Sequence, residues 1–346
     1  MRAWLVRLFA PRTALAMAPR MAPASVRARA APACAPAQAP SVALPPGDQA
    51  SLELEFLAWI AEGTEFVVAP AGARERAGLA HLDRLIADEA AHHRLLPRAA
   101  AVIPPLLARL RNPALALREL SQQVARDVTL VAEVVRMANS AHYRRGESII
   151  ELDQAIGRLG VDGMRRTITR ALLKPLIDAR GGRLVSCSAR RLWDHSEKKA
   201  QLCAALAHGV GIEPFEAYLA GLAHNAVWSA VLRALDEVEG TAAWRLSPAF
   251  VTALSARRDR LFAIVARQWQ LAEGVSRGAA EHAARGAAAE MAAPMRLLYA
   301  GDRLAWLLCA PDRERAKALA APWLRDADNA VRACYQALEP EAAIAV

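Results

Sequence analysis

Residues 96–143 read LPRAAAVIPPLLARLRNPALALRELSQQVARDVTLVAEVVRMANSAHY, and the fold is decided by how this stretch is parsed. A proline-marked entry leads into a helix that ends before Asn112-Pro113, where a turn follows. The next segment places Leu117, Leu120 and Val124 on one face of a second helix. Asp127 is positioned to cap a third, VTLVAEVVRMANSA, whose apolar positions almost encircle it and so predict deep burial. Asn139 and Ser140 close that helix, where an amide and a hydroxyl take up orphan backbone groups. A structural role for both is expected over a ligand contact.

The helical pattern continues outward in both directions. Downstream, SIIELDQAIGRLG predicts a short helix closed by Gly160 in a left-handed conformation. A long helix follows from Asp162, with a kink or break near Pro175. After Gly181-Gly182 come further helices to the end of the chain, about a dozen in all, with no strand alternation, no internal repeat and no glycine-rich phosphate loop. Upstream, SLELEFLAWIAEG is read as a helix capped by Ser51, and GARERAGLAHLDRLIADEAAHH as its hairpin partner. Residues 1–48 are mostly Ala, Pro and Arg and predict a disordered leader.

Composition agrees with an all-α protein. Hydrophobic residues make up 54% of the 346 residues, yet aromatics only 5%, so Ala and Leu carry the core. No apolar run reaches the roughly 18–20 residues of a membrane span. Six arginines and one acid give residues 1–50 a charge of +5, leaving about +4 of the total +9 for the rest. The five cysteines, scattered and without a CxxC, suggest neither a disulfide framework nor a zinc knuckle. These features predict a protein of a reducing cytoplasm.

The stretch from Leu96 to Tyr143, followed by LDQAIGRLGVDGMRRTI from Leu152, resembles the HDOD family, a bacterial domain related in fold to HD phosphohydrolases. The resemblance extends to LWDHSEKKAQLCAALA from Leu192, FEAYLAGLAHNAVW from Phe215 and YAGDRLAWL from Tyr299. It implies a compact multi-helix bundle of two helical lobes, the second HD-like. The expected organisation is a leader over 1–48, a helical hairpin lead-in over 49–93, an HDOD-like domain over 94–310 with a lobe boundary near 180–188, and a C-terminal helical extension over 311–340.

The resemblance also points to a site. A catalytic HD protein gathers one His, a His-Asp pair and a distant Asp; here these positions hold His195, His224-Asn225 and Asp302. Asn225 replaces the acid. A neutral carbonyl oxygen cannot supply the anionic charge with which a carboxylate holds or bridges hard metal ions. The set therefore reads as a vestigial HD pocket with no catalytic residue and no cofactor, with room at most for one weakly held divalent ion. No dense cluster of Lys, Arg and acids stands out beside AHNAVW, and Val227 and Trp228 are expected to fill the mouth. On that reading Asn225→Asp restores metal binding only where Val227 and Trp228 have not closed the pocket. His282 is a candidate supporting residue, with an exposed helix-end position as its plainer reading.

Three functions compete. The first is a non-catalytic regulatory or scaffold module of bacterial signal transduction, binding other signalling proteins, with an inter-lobe groove that could hold a small ligand. The second is a residual metal-dependent nucleotide phosphohydrolase. The third is nucleic-acid binding through the leader and the clusters Arg165-Arg166-Arg170, Arg190-Arg191, Lys198-Lys199 and Arg257-Arg258-Arg260. The third is disfavoured because these clusters are interleaved with acids or spread around helices. Arg144-Arg145 offers a further site for an anionic partner, although paired loop arginines are usually solvated.

Overall fold

The computed structural model describes residues 49–339 except for 62–64, 67–69, 93–98, 113–116, 141–142, 144–145, 178–180, 239–243 and 287–289. The leader and Arg144-Arg145 lie outside the described residues. In chain order the elements are α1 (Gln49–Ile60), β1 (Glu65–Phe66), α2 (Ala73–Ala87), α3 (Ala99–Arg111), α4 (Leu117–Val124), α5 (Val128–Ala138), α6 (Leu152–Ile177), α7 (Arg183–Leu206), α8 (Pro214–Asp236), β2 (Arg245–Leu246), α9 (Pro248–Gln268), α10 (Glu273–Arg285), α11 (Ala293–Cys309), α12 (Arg313–Asp326) and α13 (Asn329–Leu338). The protein is all-α. The two strands are a single two-residue parallel pairing, Glu65 opposite Arg245 and Phe66 opposite Leu246.

Local chemistry sets the helix limits. Asp127 accepts from the backbone N–H of Thr129 and Leu130 and so starts α5. Asn139 ends it, donating to the Ile149 carbonyl at 2.6 Å and accepting from the Ile149 N–H at 2.8 Å. Gly160, at φ 62°, divides α6 into two helical parts, as its position after Leu159 predicts. Pro175 stands in the last turn of α6 and the helix ends at Ile177. Ser51 does not cap α1, which begins two residues earlier at Gln49.

Two cores result. Leu106, Leu110, Leu120, Val124, Leu130, Val134 and Ile168 centre the first, with Phe215 of α8 reaching into it. The second gathers α7 to α13 around α8, which is buried on nearly every side. The end of α6, from Leu173, packs in this second core. The lead-in helices join the second core too. α1 packs on α9, α7 and α11, and α2 packs on α9 and α8. Two anchors fix α2 to α9: Glu75 accepts from the Ser247 N–H at 2.8 Å, and Asp83 pairs with Arg257 and Arg260.

The basic clusters read from sequence are only partly surface charge: Arg190 is exposed, whereas other members turn inward. Arg165, Arg170, Lys199 and Arg258 are all buried. Arg165 donates to the Asn112 carbonyl at 2.6 Å, and Arg170 pairs with Glu197. Neighbours in sequence point about 100° apart on a helix, so a run of basic residues divides between interior and surface.

Candidate functional site

Helices α7, α8 and α11 bring His195, His224, Asn225 and Asp302 together in the second lobe. The close approach of α11 to α7 depends on Gly301, where a Cβ would lie 2.5 Å from Cys203 Sγ. Asn225 uses both ends of its amide. Its Nδ2 donates to His195 Nδ1 at 2.8 Å and to Ser196 Oγ at 3.1 Å, while its Oδ1 accepts from a lysine. With Nδ1 accepting, His195 carries its proton on Nε2, which faces the Asp302 carbonyl at 3.2 Å.

That lysine, Lys199, is the residue that sequence reasoning missed. It lies one turn beyond His195 on α7 and is fully buried, although its sequence context placed it in a surface cluster. Its Nζ bonds His224 Nδ1 at 2.5 Å, Asp302 Oδ1 at 2.8 Å and Asn225 Oδ1 at 2.9 Å. The i,i+4 spacing from His195 was the available signal, since it puts both side chains on one face. His224 Nε2 lies 3.6 Å from Asp259 Oδ1, which favours the tautomer with Nε2 protonated and Nδ1 accepting. Three acceptors then surround one nitrogen, and only an ammonium has three N–H bonds to give them.

A second buried cluster backs the first, correcting the expectation that no Lys, Arg and acid group adjoins this helix. Arg258 donates to Asp259 Oδ1 through Nε at 3.0 Å and to Tyr299 Oη through Nη2 at 2.9 Å; Nη2 also lies 2.9 Å from Asp259 Oδ1, and Nη1 lies 3.6 Å from Asp302 Oδ2. Tyr299 donates its hydroxyl to Asp259 Oδ2 at 2.7 Å. His282 is buried rather than exposed at a helix end: its Nε2 lies 3.3 Å from Tyr299 Oη and 3.4 Å from Asp259 Oδ2.

The electrostatics follow from this enclosure. Burial pushes His195 down to about 4 and His224 down to about 3, with Lys199 and Arg258 opposing a further positive charge on His224. Burial raises Asp302, but Lys199, His195 and Arg258 outweigh it and hold the carboxyl below the usual range. Burial likewise opposes ionisation of Asp259, and Arg258, His224 and His282 overcome it. Burial lowers Lys199, while Asp302 pulls it back up.

As it stands, this set does not fit a metal ion. The point on which His224, Asn225 and Asp302 converge is taken by Lys199 Nζ. Among the described residues no group of three or more His, Cys, Asp and Glu side chains is arranged to hold a metal. The site is also covered, though not as the sequence suggested. Trp228 is fully buried beneath the site, 5.1 Å from Arg258, and Val227 is core. The cover comes from α1, where the Phe56 ring packs at a tilt on His195, centroids 4.5 Å apart. Leu52, Glu53 and Phe56 border a cavity of about 20 Å³ that touches His195, Arg258 and Asp302. A roomier pocket of about 410 Å³ lies between α1, α11 and α12, with Trp59, Trp306 and Leu319 in its walls.

An all-α, two-lobed fold with His, His-Asn and Asp brought together in the second lobe defines an HD-related helical protein. The chain belongs to the HDOD family: the HDOD domain model matches residues 96–284. Its fold is similar to that of "Putative metal-dependent phosphohydrolase from Shewanella amazonensis SB2B", at TM-score 0.54 and 17% identity, covering 78% of this chain and 99% of that one. An HDOD domain protein with unknown function from Geobacter sulfurreducens aligns at TM-score 0.49 and 19% identity, covering 76% of this chain and 94% of that one. An uncharacterized protein of Treponema pallidum (strain Nichols) is 22% identical over 121 residues, 34% of this chain and 22% of that relative's length. Among the described residues no helix is long and apolar enough to cross a membrane.

Proposed function

We propose that this chain is a non-catalytic regulatory or scaffold module of bacterial signalling, working in the cytoplasm through contacts with other proteins. One observation carries the reading: the space beside His195 and Asp302 is about 20 Å³, roofed by Leu52 and Phe56. That holds about one water molecule, whereas small-molecule sites run to about 300 Å³ or more. A nucleotide phosphate has no way to reach these side chains while α1 is in place. Family membership supports the signalling context, and the mutual hydrogen bonding of the buried polar groups supports a structural role for them.

The competing reading, a residual metal-dependent phosphohydrolase, draws on the name of the Shewanella relative. At 17% identity that likeness extends to the fold alone. The two readings part on metal content and on hydrolysis of nucleotides and model phosphodiesters by the purified full chain with Mn²⁺ added. No stoichiometric metal and no turnover is expected. Hydrolysis abolished by His195→Ala would overturn the non-catalytic reading.

A further inference from the structure

We propose that the Lys199 ammonium is the resident cation of this pocket, built into the chain at the point where its donor atoms would otherwise gather a metal ion, and that it keeps divalent ions out. This deepens the non-catalytic reading and rests on it. Loss of an acid at position 225 is, on its own, a weakening of metal affinity. An internal cation is an exclusion.

The argument is geometric. Nζ lies 2.5–2.9 Å from a histidine nitrogen, an amide oxygen and a carboxylate oxygen, one each from α8, α8 and α11. Such distances are hydrogen-bonded, and only slightly longer than the roughly 2.0–2.6 Å of metal–ligand bonds to the same atoms. No second cation fits inside that triangle while the ammonium is there. Lys199 is fully buried and all three of its bonds stay within this group. Arg258, 3.6 Å from the other oxygen of Asp302, adds a second positive charge beside the pocket. Asn225 suits this arrangement better than an aspartate: its oxygen accepts a hydrogen bond from Lys199 and its nitrogen donates one to His195. Asn225→Asp alone therefore adds a carboxylate that pairs with Lys199, and the metal still has nowhere to sit.

The test uses the full chain, with Mn²⁺ as the probe, read by titration calorimetry and by thermal unfolding with and without the ion. Wild type and Asn225→Asp are expected to show no saturable binding in the micromolar range and no shift in Tm. Lys199→Ala combined with Asn225→Asp is expected to bind one Mn²⁺ at least 100-fold more tightly than Asn225→Asp, with Tm rising by several degrees in its presence. Lys199→Gln with Asn225→Asp retains a donor toward Asp302 and supplies the same reading where the alanine variant does not fold. The inference is overturned by Asn225→Asp binding as tightly as the double variants, or by a folded double variant that binds none. Stoichiometric metal in the wild type would overturn the non-catalytic reading; metal-free wild type with a metal-free double variant overturns this inference alone.

Discussion

Asp259 carries more of the buried charge balance than its place outside the HD pattern suggests. It accepts from Arg258 and Tyr299 and lies 3.4 Å from His282 and 3.6 Å from His224. Replacing it with alanine leaves a fully buried guanidinium with the uncharged Tyr299 hydroxyl at 2.9 Å and, as carboxylates, only Glu53 and Asp302, both at 3.6 Å, and it removes the acceptor of the Tyr299 hydroxyl proton. Uncompensated buried charge of this kind costs about 3–5 kcal/mol. Asp259→Ala is expected to lower unfolding free energy by about that amount in urea titrations. A loss below about 1 kcal/mol, the scale of an exposed ion pair, would show that water reaches the cluster. Asp259 left no signal in the sequence, and Lys199 only its i,i+4 spacing from His195. Arg-Arg-Asp-Arg and Glu-Lys-Lys are what a solvated helix face also looks like, and only the packed neighbours reveal which charges turn inward. His195, His224, Asn225 and Asp302 were singled out through the resemblance of their segments to HDOD motifs, and the fold places them side by side.

At the scale of elements, the helices themselves could be read because apolar periodicity and capping are local. Asp127, Asn139 and Gly160 each act within a few residues of where they stand. What covers the site could not be read: Phe56 meets His195 across 139 positions of sequence, and no local signal specifies that contact. The same limit hides the tight crossing of α11 on α7. A methyl group at Gly301 would stand 2.5 Å from Cys203 Sγ, so in Gly301→Ala the buried sulfur must turn away or the helices must shift apart. Overpacking of this kind costs about 1–3 kcal/mol. Because Gly301 precedes Asp302, a helix shift also stretches the Lys199–Asp302 pair. Adding Cys203→Ala removes the obstructing sulfur, and the double variant is expected to recover most of the lost Tm. No recovery would place the strain elsewhere on α11.

The whole molecule carries buried ionisable groups of both signs, and together they bound the pH range in which it is stable. On the acid side, His195 and His224 have folded values of about 4 and about 3 against an ordinary 6.5, so the unfolded chain takes up protons that the folded chain refuses. Their contribution is complete above 6.5 and is lost as pH falls toward those folded values. Each adds a slope of about 1.4 kcal/mol per pH unit. Asp302 and Asp259, held below the ordinary 3.8, extend the loss further into acid. On the alkaline side, burial raises Cys203 and Cys309 to about 12 and Cys334 to about 11 from an ordinary 9. Their contribution is complete below 9 and disappears as pH rises through the folded values, because the unfolded chain releases thiol protons that the folded chain keeps. Stability in urea is therefore expected to be flat between about pH 7 and 9 and to fall by about 2–3 kcal/mol per unit below pH 6. With total stabilities of about 5–15 kcal/mol typical of folded domains, acid unfolding is expected near pH 4. His195→Gln removes one of the two titrating imidazoles and is expected to halve the acid slope. An unchanged slope would mean that the imidazoles are not held neutral by burial. The thiols give an independent check on the same enclosure: at pH 8 a water-soluble alkylating agent is expected to modify exposed Cys187 in the native protein and to reach Cys203, Cys309 and Cys334 only on unfolding. Rapid native-state modification of Cys203, which is fully buried and lies one turn from Lys199, would show that the helices around the ammonium open far more often than this packing allows.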